Sequence, residues 1–379
     1  MTDSSNQPTI AIVNASSRYS GVTLSAQPYA DALRRMGFAS QWYQCVDRGR
    51  EPYLPEGGTV VPGLGAPIES VEMGFNRLWC FPHRLRRLTE QVVVITDPTL
   101  CFVASKHSRR VALVHDLLPL SRYADRWDSR LMFHVIIPKL RQMALVIVTT
   151  DLLRDELVRW GVSSNIIRVV PYTHGLGFHP EHPVQSVDRI TRTGEARLLY
   201  IATDRPSKNL DFVFRLARAL DRRGDGPRFT ITLLSRLRPE TARRIAALRL
   251  TNLRVIPEVP RVGALYDASD VLIYPSLHEG FGRPLIEAMA YGLPVLANRI
   301  RPITDILGSA GIFLDADSVD AWVTALHSLT ASRSLAELSH RSLERGAEFL
   351  PDRFQISVCE AFHGLLDEVT HQPEGPPNP

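Results

Sequence analysis

The sequence predicts an α/β protein made of two doubly wound parallel-sheet domains in tandem, and three observations lead there. First, 379 residues are too many for one ordinary hydrophobic core. Second, short β-branched apolar runs alternate with amphipathic helical stretches almost throughout, the signature of parallel strands covered on both faces. Third, the alternation breaks once, at THGLGFHPEHPVQSVDRITRTG (173–194), then restarts. That Gly-, Pro- and His-rich stretch reads as an interdomain connection.

In chain order, TIAIVNA (9–15) is the first strand and AQPYADALRRMG (26–37) a helix ended by Gly37. VVVITD (92–97), RVALVHD (110–116) and ALVIVTTD (144–151) are strands that end in polar residues, and Thr150 or Asp151 caps the helix that stops at Gly161. NIIRVVPY (165–172) closes the first sheet. After the break, strands are expected at 196–202, 229–235, 253–259, 270–276 and 294–298, with helices at 208–222, 239–248, 261–268, 284–291 and 318–330. A last helix, 354–369, follows Pro351. The domains are set at 1–175 and 176–350, followed by a helical segment 351–370 and a disordered tail 371–379. Carboxyl-end loops of both sheets are expected to face a cleft between the domains, where such sheets bind ligands.

Composition narrows the class. Apolar residues make up 44% and charged residues 22%, a soluble globular balance. Four dispersed cysteines suit a reducing compartment and neither a disulfide framework nor a zinc knuckle. The N-terminus carries no basic-then-apolar signal, and no run approaches 18 apolar residues, so a cytoplasmic protein is expected. The net charge of +4, from 44 mainly arginine basic and 40 acidic residues, suits phosphate-bearing ligands or an anionic surface. No nucleic-acid module and no long basic tract is present, so nucleic acid is not an expected partner. Nothing in the sequence specifies an oligomer. The segment 70–90, SVEMGFNRLWCFPHRLRRLTE, has two readings. Arg77, Arg84, Arg86 and Arg87 could set 77–87 peripherally on a membrane, at the inner face of the plasma membrane. The simpler and preferred reading is a solvated helix whose apolar face packs on its own domain.

The most informative stretch is HEGFGRPLIEAMAYGLPVLAN (278–298). A strand ends at Tyr274-Pro275-Ser276, a loop follows, and Pro284 suits the first helical position, where its missing N–H costs nothing. Gly282 and Arg283 then present backbone N–H groups at a helix start, a ready anion site. Glu279 lies in the loop and Glu287 early in the helix, so the folded loop could turn both toward one ligand. The alternative is local: Glu287 pairs with Arg283 four residues back, and Glu279 is a plain loop acid.

From Glu279 through Ala290, and on to Gly292-Leu293-Pro294-Val295, this stretch resembles the Glu-x7-Glu signature of retaining, nucleotide-sugar-dependent glycosyltransferases of family 4, the group 1 glycosyl transferases. Leu265 to Val271, before Tyr274-Pro275-Ser276, resembles the helix and strand that lead into that loop. The resemblance implies a GT-B fold, two Rossmann-like domains facing across a cleft, with an acceptor-side first domain, a donor-binding second domain and a C-terminal helix crossing back to the first. It also implies that Glu287 bonds the ribose hydroxyls and that Glu279 sits by the donor sugar and departing phosphate. The backbone through Gly280, Phe281, Gly282 and Arg283 would meet sugar hydroxyls or phosphate.

Other segments extend the resemblance. Ala202 to Leu210 is similar to the family's Gly-Arg…Lys-Gly segment, with Ala202 and Asn209 where glycines are usual, and implies that Arg205 and Lys208 hold the diphosphate. Val111 to Leu120 resembles a His-Asp-Leu-x-Pro segment, which implies that His115 bonds a sugar hydroxyl. The structural alternative is that Asp116 caps the next turn and His115 is a satisfied core residue. Gly21, after Ser16, Ser17 and Ser20, stands in the first strand-to-helix loop, where a close backbone approach to the diphosphate is implied. Val170-Pro171-Tyr172-Thr173 matches the family's linker entry without its asparagine, so no role passes to Tyr172. Arg299 and Arg301 stand where relatives have a small turn, either toward phosphate or on the surface.

No catalytic metal and no cofactor is expected. Asp315-Ala316-Asp317 reads better as a helix cap than as a metal pair, and His174, His179 and His182 lack a completing acid or cysteine. No phosphate loop and no Gly-x-Ser-x-Gly elbow is present. The expected reaction moves a sugar from a nucleoside-diphosphate donor to a glycan, lipid-linked or small-molecule acceptor. The His115 segment and Ala310–Asp315 look most like bacterial mannosyl-, rhamnosyl- or fucosyl-type polysaccharide enzymes, which makes GDP-mannose the first donor to consider. The rivals are a GT-B sugar-nucleotide epimerase or phosphorylase and a non-catalytic sugar-nucleotide-binding subunit.

Overall fold

The apolar runs fold as parallel strands because both of their faces find cover. The computed structural model describes residues 9–15, 21–47, 54–65, 69–103, 108–121, 123, 127–175, 189–222, 227–330 and 334–370. It divides into two units, Met1–Tyr172 with Asp352–Pro379, and Thr173–Pro351.

The first unit holds β1 (Thr9–Asn14), β2 (Ala39–Val46), β3 (Thr59–Pro62), β4 (Val92–Ile95), β5 (Arg109–Val114), β6 (Leu145–Val148) and β7 (Ile167–Val169). They form one parallel sheet in the order β3-β2-β1-β4-β5-β6-β7. Alternate residues go to opposite faces, as the strand period of two requires. Ala11, Val13, Val93, Ile95, Ala112 and Val114 enter one apolar cluster, and Ile10, Ile12, Val92, Val94, Val111 and Leu113 enter the other. The helix Pro351–Thr370 adds Phe354, Val358, Phe362 and Leu366 to the second cluster, beside Tyr29 and Leu33 of the helix Gly21–Arg35. Each such buried side chain contributes about 1.5–3 kcal/mol, enough to hold a helix that arrives from the far end of the chain.

The second unit holds β8 (Glu195–Ile201), β9 (Arg228–Leu234), β10 (Leu253–Ile256), β11 (Val271–Tyr274), β12 (Val295–Asn298) and β13 (Gly311–Leu314), parallel in the order β10-β9-β8-β11-β12-β13. Both orders run outward in two directions from the first strand, so each sheet has a topological switch point, at β1/β4 and at β8/β11.

Among the described residues, three strands and three α-helices go beyond the elements read from sequence: β2, β3 and β13, Trp127–Leu140, Ile303–Leu307 and Ser334–Gly346. The strand β2 (ASQWYQCV) mixes Ser40, Gln41 and Gln44 with its aromatics, and Pro138 interrupts the first of those helices.

The segment 70–90 departs most from expectation. It is helical from Glu69 to Arg84 with a π turn at Asn76–Cys80. A π turn carries an extra residue and so rotates the faces that an α-helical reading assigns. Arg77 does not face outward: it is 4% exposed, with Nη1 and Nη2 on the Asp47 carboxylate at 3.2 and 3.1 Å and Nε on Thr99 Oγ1 at 3.1 Å. Nor does the whole apolar face pack on its own unit. Cys80 and Phe81 turn inward beside Asn76 and Arg77, while Phe75, Leu78 and Trp79 point to solvent. Among the described residues no helix is long and apolar enough to cross a membrane.

Candidate functional site

In the second unit the chain leaves β8 at Ile201 and β11 at Tyr274, the carboxyl ends of the two strands at the switch point. The β8 exit runs into a 3-10 turn, Pro206–Lys208, and then Asn209, whose backbone is left-handed at φ +54°. Asparagine is among the non-glycine residues most at ease there, which explains how it replaces the glycine of the resembling segment. Its Nδ2 donates to Pro275 O at 3.3 Å and Ala316 O at 3.4 Å, and Leu277 N donates to Ser207 O at 2.7 Å. These bonds tie the two exits together.

The tie brings Lys208 to Glu279 across 71 residues of sequence, with Nζ to Oε1 at 2.5 Å. Glu279 is 9% exposed, and the same Oε1 accepts the Tyr274 hydroxyl at 2.7 Å. Its Oε2 makes no hydrogen bond among the described residues. The Tyr274 hydroxyl is pushed well above the ordinary tyrosine range by burial first, then by the Glu279 charge and their hydrogen bond, so it stays a donor. Lys208 Nζ also lies 5.9 Å from the centre of the Tyr274 ring, and the Tyr200 hydroxyl donates to Lys208 O.

Gly282 caps the next helix, Arg283–Ala290, from the left-handed region at φ +97°. A Cβ there would lie 3.0 Å from Leu285 Cδ1 and 3.3 Å from the Tyr274 hydroxyl, so glycine is required by both backbone and space. The helix begins at Arg283, one residue before the expected start, which leaves Pro284 still inside the first turn where it is tolerated. Gly280 and Gly282 are buried. Phe281 is buried too, edge-on to Phe349 at 6.0 Å, so its ring belongs to the packing of its own unit and only its backbone remains for a ligand.

Glu287 has a parallel surround. Its Oε2 accepts the Tyr266 hydroxyl at 2.7 Å, and Oε1 lies 3.6 Å from Arg283 Nη2. The local Arg283 pairing read from sequence is therefore present, together with a tyrosine that spacing does not reveal. Burial first, then the Glu287 charge, pushes the Tyr266 hydroxyl well above its ordinary range. Arg205 is exposed at the entry of the 3-10 turn that carries Lys208.

In the first unit, Asn14 ends β1, Thr96 follows β4 and His115 follows β5. Asn14 Nδ2 donates to Gln44 Oε1 at 3.0 Å, and Thr96 Oγ1 donates to Asn14 Oδ1 at 2.8 Å. His115 Nε2 meets Thr96 O at 2.8 Å, and since a carbonyl only accepts, Nε2 carries the proton. Its Nδ1 bonds the Tyr172 hydroxyl. Both ring nitrogens are thus engaged within the unit, and Asp116 Oδ1 accepts Leu118 N at 3.0 Å, the turn cap of the structural reading. Gly21 is not in a loop but opens the helix Gly21–Arg35, and Ser16, Ser17 and Ser20 lie outside the described residues.

Elsewhere, Arg299 Nη2 donates to Phe313 O at 2.6 Å and Arg301 Nε to Asp305 Oδ2 at 2.6 Å. Among the described residues no three of His, Cys, Asp and Glu gather as metal ligands; His179 and His182 fall outside them. Sequence reasoning missed the three hydroxyls that orient the acids and the histidine, those of Tyr172, Tyr266 and Tyr274. Tyr266 and Tyr274 lie inside the resembling segments, but only the fold shows which acid each one serves.

Two family descriptions match the chain: "Glycosyl transferases group 1" over residues 185–348 and "Glycosyl transferase 4-like domain" over 20–173. Among curated proteins, the Escherichia coli O-antigen chain mannosyltransferase B is 42% identical over 57 residues, 15% of each chain. An Escherichia coli serotype-specific mannosyltransferase is 22% identical over 275 residues, 68% of this chain and 34% of its own. The matches thus span about a third or less of these relatives' lengths. Among solved structures, a sucrose-phosphate synthase from Thermosynechococcus elongatus has a TM-score of 0.76 at 17% identity, covering 96% of this chain and 100% of that one. The Anabaena protein HepE in complex with UDP-glucose has a TM-score of 0.73 at 14% identity, covering 94% and 100%. These likenesses show the fold, the GT-B class of two Rossmann-like parallel-sheet domains.

Proposed function

We propose that this chain, which belongs to the group 1 glycosyl transferases, moves a hexose or deoxyhexose, mannose first, from a nucleoside-diphosphate sugar to a hydroxyl of a glycan, lipid-linked glycan or small molecule. Transfer keeps the anomeric configuration and needs no metal. The observation that carries this reading is the Lys208–Glu279–Tyr274 cluster at the β8/β11 switch point, where open parallel sheets take their ligands. A nucleotide-sugar donor is supported by the UDP and UDP-glucose bound to HepE, and mannose by the mannosyltransferase names of two relatives.

In this reading Tyr274 and Lys208 hold Oε1 of Glu279 and turn Oε2 toward the donor sugar. Lys208 spends one of its three N–H donors on Glu279 and keeps two for diphosphate oxygens. Arg205 and the backbone N–H groups at the start of Arg283–Ala290 add positive charge where the leaving group gains negative charge. Glu287 takes the ribose hydroxyls. The bond from the anomeric carbon to phosphate oxygen breaks, and the acceptor oxygen bonds to that carbon on the same face. The acceptor proton passes to the departing phosphate. For His115 to reach a sugar hydroxyl, one of its two bonds, to Tyr172 or to Thr96 O, must be exchanged.

Calorimetry of the purified chain against GDP-, UDP- and dTDP-sugars, followed by magnetic-resonance assignment of the product anomer, tests the proposal. Binding of no nucleotide sugar, or an inverted product, sinks it. Transfer that survives only with added Mn²⁺ or Mg²⁺ after chelation removes the metal-independent part.

A further inference from the structure

We infer that the Tyr172 hydroxyl is a place-holder: at Nδ1 of His115 it takes the position that a sugar hydroxyl takes on binding, so His115 meets its substrate as a hydrogen-bond acceptor. That the incoming hydroxyl belongs to a sugar rests on the transferase reading. The protonation of the ring rests on the geometry alone.

The imidazole has two nitrogens to satisfy, and the sheet fixes one of them. His115 Nε2 donates to Thr96 O at 2.8 Å. Thr96 is fully buried, with its N on Val13 O at 3.0 Å and its Oγ1 on Asn14 Oδ1 at 2.8 Å. Its carbonyl therefore stands at the paired exits of β1 and β4 and cannot turn away. Withdrawing Nε2–H would strand that buried carbonyl without a donor, the costly way to lose a hydrogen bond. Nε2 thus keeps its proton, and the neutral ring offers only a lone pair at Nδ1.

The second bond is of another kind. Nδ1 accepts the Tyr172 hydroxyl. Tyr172 lies beyond β7 and is the last residue of the first unit, so no strand pairing holds it. Packing holds its ring instead. The ring is 7% exposed and lies 5.8 Å from the imidazole at an inclination of 28°. It is also near Tyr29, whose hydroxyl is pushed up by burial first and then by Tyr172. The hydroxyl itself turns about a single C–O bond and is the movable partner of the pair. A lone pair at Nδ1 calls for a donor, which a sugar hydroxyl supplies and an ionised phosphate or carbonyl oxygen does not. Substrate must displace the Tyr172 hydroxyl to reach Nδ1. Apparent affinity is thereby lowered by the worth of one neutral hydrogen bond, roughly two- to tenfold.

The test is calorimetry of the full chain and of Tyr172→Phe, which keeps the ring and removes only the hydroxyl. The ligands are GDP-mannose, UDP-glucose, GDP and UDP, and methyl α-mannoside in the presence of GDP. Y172F should bind a sugar-bearing ligand about two- to tenfold more tightly and the bare nucleoside diphosphates unchanged. A gain for the nucleotide sugar places the hydroxyl on the donor, and a gain for methyl α-mannoside alone places it on the acceptor. Magnetic-resonance spectra of the wild-type imidazole nitrogens read the same event without a variant. On sugar binding, His115 Nδ1 should shift and stay unprotonated while Nε2 keeps its proton. A folded Y172F that binds no sugar ligand more tightly overturns the proposal. So does a proton found on Nδ1, or a change at Nε2 that leaves Nδ1 unmoved, and these spectra decide if Y172F does not fold. A wild-type chain that binds no nucleotide sugar defeats the transferase reading and the place-holder together, whereas the other outcomes defeat the place-holder alone.

Discussion

Glu279 and Glu287 are built from the same parts, a carboxylate, a buried tyrosine hydroxyl and a cation, yet they are held differently. At Glu279 the cation is Lys208, brought from another strand exit to 2.5 Å, and it shares Oε1 with Tyr274. At Glu287 the cation is Arg283, one helical turn away at 3.6 Å, and cation and tyrosine go to different oxygens. The first centre exists only when β8 and β11 are paired, and its precision is that of the sheet. The second is a local i,i+4 pair of the kind that contributes only about 0.2–0.5 kcal/mol. In the proposed reaction this difference suits Glu279 to a step that tolerates little displacement and Glu287 to grip on a ligand.

Substitution at Glu279 should give the largest effect. Glu279→Gln keeps an acceptor for Tyr274 but removes the charge facing Lys208 and the sugar. It should lower kcat by roughly 10²–10³ while donor affinity changes little. A variant within a few-fold of wild-type kcat would put Glu279 back among plain loop acids. Lys208→Met comes next. It removes two donors to the diphosphate and leaves Glu279 uncompensated, so nucleoside-diphosphate affinity should fall by about 1.5–3 kcal/mol in calorimetry. If affinity holds and only the melting temperature drops, Lys208 is structural.

The Glu287 centre offers a sharper split. Glu287→Ala should weaken nucleotide affinity about tenfold through lost ribose bonds. Arg283→Ala, which removes the local pair and keeps the acid, should cost only a few tenths of a kcal/mol in stability. Unchanged nucleotide affinity in Glu287→Ala would mean that the Arg283 pair is all that Glu287 does, and the comparison of the two centres would collapse.

The motif acids and Lys208 were legible because their segments are continuous: strand exit, glycine turn, helix start. The sheets were legible because a strand buried on both faces reads as an unbroken apolar run, as in VVVI and LVIV. What escaped depends on partners far away in sequence. Tyr266 and Glu287 are 21 residues apart, and no helical or strand period links them. Arg77 finds Asp47 30 residues back, and that pair, with the π turn, decides which face of 70–90 looks outward. Tyr172 holds the place of a linker asparagine, and only its closeness to His115 gives it work. A strand such as β2, whose glutamines break the apolar run, is hidden for the same reason: Gln44 is satisfied by Asn14 on the neighbouring strand.

The smallest effects separate the two tyrosines. Tyr274→Phe and Tyr266→Phe should each cost about 0.5–1.5 kcal/mol of stability. The first should lower kcat with little change in KM, and the second should weaken the nucleotide without changing kcat. Both hydroxyls titrate well above their ordinary value in the folded chain, by burial first and then by the adjacent acid's charge. Below pH of about 10 the folded and unfolded chains both keep these protons and the contribution is complete. Above it the unfolded chain releases them while the folded chain does not, so stability falls as pH rises, by about 1.4 kcal/mol per unit for each tyrosine. Tyr29 and Tyr200, also raised by burial, behave alike in wild type and variants and cancel. Urea midpoints taken between about pH 9 and 11 should therefore decline less steeply in the Y266F/Y274F double variant. Parallel declines would mean that neither hydroxyl is buried beside its acid in solution, and the shared design of the two centres would go with it.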